Sequence, residues 1–108
     1  MDDPTVVLVL TTLPEGAGTE AFARTLVDER LAACVSVCPL MRSVYRWKDA
    51  VETAGEHQVV IKTVASAVGA LKSRFATLHP YDVPEFLVLP AADGGDAYLA
   101  WVRQSCGV

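Results

Sequence analysis

A chain of 108 residues has room for one domain with one modest core, taking in residues 1–108. Hydrophobic residues make up 52% of it, more than so small an interior can hide, so part of that surface is expected at a protein–protein interface. A net charge of −4 with scattered basic residues excludes nucleic acid as the main partner. The N-terminus carries no basic, apolar leader, no apolar run reaches a membrane span, and the three cysteines read as reduced thiols, so the expected location is the cytoplasm.

The elements follow in chain order. Thr5-Val6-Val7-Leu8-Val9-Leu10-Thr11-Thr12 is an apolar, β-branched run and predicts a first strand. Phe22, Ala23, Leu26 and Val27 recur at helical spacing, which predicts a helix over 19–31 with Thr19 as its N-cap. Cys34 to Cys38 predicts a strand ending at Pro39. Ser43, Tyr45 and Trp47 then alternate on one face of a strand. Lys48-Asp49-Ala50 reverses the chain, and Val51 to Val64 returns beside it. Val68, Leu71, Phe75 and Leu78 predict a helix over 67–78, although Gly69 costs it about 1 kcal/mol relative to Ala. The link His79-Pro80-Tyr81-Asp82-Val83-Pro84-Glu85 is stiffened by two prolines and presents an imidazole, a phenol and two carboxylates. Glu85 to Leu89 predicts a strand before Pro90. Asp96 to Gln104 predicts a last helix whose Tyr98 and Trp101 share one face and read as core.

Strand, helix, strand, proline thus occurs twice. The order βαββαβ with a C-terminal helix predicts an α+β, ferredoxin-like antiparallel sheet with two helices on one side. The first strand is apolar on both faces, Val6, Leu8 and Leu10 on one and Val7 and Val9 on the other. The fold's own helices cover only one face, so a closed symmetric oligomer is expected to cover the second.

Several motifs now stand in order along the chain: Leu26-Val27-Asp28-Glu29-Arg30-Leu31-Ala32-Ala33-Cys34-Val35, Ser43-x-Tyr45-x-Trp47, Glu56, Lys62-Thr63, His79-Pro80-Tyr81-x-x-Pro84-Glu85 and Tyr98-x-x-Trp101. Together they resemble the CutA divalent-cation-tolerance proteins. The resemblance implies a cytoplasmic homotrimer similar in architecture to the PII signalling proteins, involved in tolerance of copper and other divalent metals and not established as an enzyme. Where some members carry a copper-binding cysteine in the first strand, this chain has Thr11, a poor donor for soft Cu(I). The turn after Trp47 has Asp49 where glycine is usual.

Candidate chemistry is spread over several segments. Cys34 and Cys38 lie about 13 Å apart along a strand and cannot share an ion. His79 is the best single metal donor, with Glu56 and Glu85 the best oxygen donors by family position, set against a plain capping or hydrogen-bonding role for His79 at a helix end. Lys62 stands among valines and either snorkels or serves as a pocket cation beside Glu56 or Glu85. Tyr45, Trp47 and Tyr81 would wall a pocket between subunits.

Three functions compete: weak binding of copper or another divalent cation at intersubunit clefts with no required cofactor; a PII-like sensor or scaffold for a small anionic ligand or a protein partner; and an acylphosphatase-like enzyme. The loop Leu13-Pro14-Glu15-Gly16-Ala17-Gly18 has an acidic residue and no base where phosphate would sit, which disfavours the third.

Overall fold

The apolar run forms β1 (Val6–Pro14), which hydrogen-bonds in antiparallel fashion to β3 (Ala50–Val64) and to β4 (Leu87–Pro90). A computed structural model describes residues 3–108. The strand β2 (Cys34–Trp47) completes the sheet on the outer side of β3, in the ferredoxin-like order β2-β3-β1-β4. Three helices accompany it: α1 (Thr19–Asp28), α2 (Val68–Leu78) and α3 (Asp96–Ser105).

One face of the sheet is dry. Val7, Val9 and Leu13 of β1, with Val59 and Ile61 of β3, pack against Phe22 and Leu26 of α1 and Leu71 and Phe75 of α2. Full burial of each such side chain contributes about 1.5–3 kcal/mol. On the opposite face Leu8 and Leu10 are only half-buried, and their neighbours Leu87 and Leu89 on β4 are exposed. Within one chain, then, the second face lacks a full cover.

Local chemistry moved several boundaries. Helix α1 starts after Gly18, which holds a left-handed conformation, and Thr19 makes no cap bond. It stops at Asp28 because Arg30 turns left-handed (φ 59°), and the amides of Arg30 and Leu31 then bond back to Val27 and Leu26. Ser66 falls in a short 3₁₀ turn, Ala65–Ala67, ahead of α2. Pro39 does not end its strand. A bulge at Cys38 and Pro39 leaves both residues unpaired, so β2 runs on without a break.

That bulge also changes which side chains share a face. Before it, Cys34 lies opposite Lys62; after it, Met41 lies opposite Glu56 and Tyr45 opposite Glu52. Met41, Ser43, Tyr45 and Trp47 are thereby brought onto the face that carries Glu56 and Gln58. The β2–β3 arm closes in a two-residue turn with positive φ at both Lys48 (50°) and Asp49 (66°), the type I′ geometry that usually selects glycine.

Helix α3 corrects a further expectation. Tyr98 and Trp101 do not pack into the body; they are 48% and 45% exposed, with ring centroids 5.5 Å apart. Val102 makes the contact instead, fully buried against Val6, Ala33 and Val64. Aromatic spacing reported one face of the helix, but the smaller apolar face is the one that docks.

Candidate functional site

Pro80 biases the residue before it away from helix, so His79 is extended (φ −82°, ψ 135°) and caps α2. The stiff link that follows, Pro80–Glu85, runs opposite the outer half of the β2–β3 arm. Between them opens a cleft of about 780 Å³. Tyr45 and Trp47 wall it from β2, Glu56 and Gln58 floor it from β3, and Tyr81 and Glu85 close it from the link.

Thr12 ties the site together. Its hydroxyl donates to Glu56 Oε2 at 3.2 Å, while its carbonyl accepts from His79 Nε2 at 2.6 Å. The Tyr81 hydroxyl donates to the same Glu56 oxygen at 2.8 Å. Gln58 Nε2 donates to the Thr11 carbonyl at 2.6 Å and to Glu85 Oε2 at 3.1 Å, which holds the second carboxylate in place. Thr11 itself is fully buried.

Electrostatics follow from these contacts. Burial pushes the Glu56 carboxyl up, but hydroxyl donation from Ser43, Tyr81 and Thr12 outweighs it and leaves Glu56 below its ordinary value. Tyr81 is pushed up to about 12, first by burial and then by donating to and facing the Glu56 carboxylate. At neutral pH the pair is therefore a phenol donating to a carboxylate.

The proposed residues part company here. Tyr45, Trp47, Glu56, Tyr81 and Glu85 line the cleft; Lys62 and His79 do not. The Lys62 ammonium turns to β2, donating to Ser36 Oγ at 2.9 Å with Cys34 Sγ at 3.8 Å. His79 is 8% exposed and lies behind the cleft, with ring centroids of Phe75 and Tyr81 each 4.9 Å away.

This geometry does not fit a metal ion within one chain. With Nε2 donating to Thr12, His79 Nδ1 accepts from the Tyr81 amide at 3.1 Å, so both ring nitrogens are engaged. Glu56 Oε2 already accepts two hydroxyls. Among the described residues no three His, Cys, Asp or Glu side chains converge on a common point. The three cysteines are free thiols in separate places.

Sequence reasoning missed Thr12 and Gln58, and it named Asp82 among the carboxylates of the link without placing it in the pocket. The first two were within reach: Gln58 follows Glu56 by two along β3 and so shares its face, and Thr12 is its cross-strand partner. Among the described residues no helix is long and apolar enough to cross a membrane.

Comparison with known proteins adds to this picture. The family model described as CutA1 divalent ion tolerance protein matches residues 7–105. The Divalent-cation tolerance protein CutA of Thermus thermophilus is 43% identical over 100 residues, covering 93% of this chain and 97% of its own. Its counterpart in Pectobacterium atrosepticum is 41% identical over 99 residues, covering 92% and 90%. The crystal structure of CutA from Xylella fastidiosa superposes with a TM-score of 0.90 at 40% identity, covering 94% of this chain and 98% of that one. The family's name and those of the two relatives describe tolerance of divalent cations and not a reaction.

Proposed function

This chain belongs to the CutA1 divalent ion tolerance family, and from that premise we propose that it acts in divalent-cation tolerance as a non-enzymatic, homotrimeric cytoplasmic sensor whose cleft selects a positively charged ligand. The observation that carries this reading is the sign of the cleft. Glu56, Asp82 and Glu85 line it, and neither Lys nor Arg does. With Lys62 turned away to Ser36, an anionic ligand would meet three carboxylates and no cationic side chain in the lining. That turns the sensor reading from anions to cations. The same donors do not chelate within one chain, so a divalent ion would have to draw on groups from neighbouring copies.

Apolar surface supports the trimer. The edge strand β4 exposes Leu87, Val88 and Leu89, while Val44 and Val51 of the arm are 65% and 66% exposed. An open apolar edge invites pairing with another chain unless a defined partner covers it. The molecule is also elongated, 43 × 26 × 26 Å, with the arm extending from the body.

Light scattering on the purified protein should return three times 11.6 kDa. A thermal-shift panel should then show stabilisation by chloride salts of cations and none by sodium phosphate or citrate. Stabilisation by those anions, lost in Trp47→Ala, would overturn the reading.

A further inference from the structure

We propose that the cleft's ligand is an organic polycation, an aliphatic amine with two or more ammonium groups, and not a bare metal ion. The proposal rests on the cationic reading of the cleft and narrows it.

Carboxylates alone would serve any cation, so the remaining lining decides the class. Tyr45, Trp47 and Tyr81 contribute three rings to one cavity. Aromatic faces add nothing to the coordination of a hydrated divalent ion, whereas they attract ammonium groups and pack against methylene stems. The Trp47 ring already attracts such a group: the Lys48 ammonium stands 5.8 Å from its centroid. That is within the range at which cation–π attraction is felt.

Volume points the same way. A cavity of about 780 Å³ far exceeds what one ion needs and lies in the range of sites for small organic molecules. The negative charges are distributed and not focused. Glu56 is held at the floor by Thr12 and Tyr81, Glu85 is held at the link by Gln58, and Asp82 stands exposed at the rim. Fixed carboxylates at separate points suit separate ammonium groups on one flexible chain. Convergent donors, which a metal ion requires, are not found among the described residues.

Selectivity follows from the combination. An alkyl monoamine would use one carboxylate and one ring, and Mg²⁺ would use carboxylates without rings. A polyamine uses both, and its stem covers the apolar part of the walls.

Isothermal titration of the protein with spermidine tests this. Binding is expected in the wild type, weakened about fivefold to thirtyfold in Trp47→Ala, mostly retained in Trp47→Phe, and weakened by a similar factor in Glu85→Gln. Magnesium chloride should not share the dependence on Trp47. No binding of spermidine, or equal affinity in wild type, Trp47→Ala and Glu85→Gln, overturns the proposal. If Mg²⁺ or Cu²⁺ binds and spermidine does not, the polycation is wrong while the cationic cleft stands. If phosphate binds in a Trp47-dependent way, both fall together. Unchanged elution volumes keep a loss of binding distinct from a loss of assembly.

Discussion

Removing one oxygen atom tests the site's electrostatics directly. In Tyr81→Phe the 2.8 Å donation to Glu56 Oε2 disappears, and a carboxylate only 7% exposed keeps the Thr12 hydroxyl on that oxygen. A hydrogen bond to a charged acceptor is worth about 1.5–3 kcal/mol, against about 0.5–1.5 kcal/mol for a neutral one. Because Tyr81 borders an open cleft, water can take part of its place, so the loss at pH 7 should lie near about 1.5 kcal/mol. Urea unfolding at one fixed protein concentration measures it. Repeated in a Glu56→Gln background, the same deletion should cost only the neutral value. Acid should have the same effect. The folded Glu56 carboxyl lies below its ordinary 4.5, so its stabilisation is complete above that pH and is lost as pH falls through the folded value. An equal cost in both backgrounds, unchanged on acidification, would refute the account of the pair.

Three further outcomes are expected. Tyrosinate absorbance should show Tyr81 titrating at about 12 and moving part of the way back toward 10.0 in Glu56→Gln; the stability it confers is complete below 10.0 and lost as pH rises toward the higher value. Asp49→Gly should raise the urea midpoint by about 0.5–1 kcal/mol of stability, since a left-handed L-residue costs roughly 1–2 kcal/mol and glycine gives part of that back in chain entropy; a lowered midpoint would contradict the turn assignment. Leu89→Glu places a charge on the open edge strand and should shift the mass seen by light scattering toward 11.6 kDa with the circular dichroism spectrum retained, whereas an unchanged trimer would remove that edge from the interface.

The order of strands and helices was legible because periodicity is local. Val7 and Val9 face the helices while Leu8 and Leu10 do not, as alternation along one strand requires, and Leu71 and Phe75 mark the buried stripe of α2. The stiffness of the link after His79 was equally plain from its prolines. Which elements meet at the cleft was not. Residues 12, 56, 58, 81 and 85 converge only through the β1–β3 register and the fold of the link, and no spacing within one segment encodes that. Lys62 shares a sheet face with Glu56, yet its ammonium found Ser36, a choice set by the neighbouring strand's register before the bulge. The bulge at Cys38 and Pro39 then decided that Tyr45 and Trp47 face the same way as Glu56. A side chain's own element fixes the face on which it stands. Only the packed sheet, which must satisfy every backbone hydrogen bond at once, fixes what stands opposite.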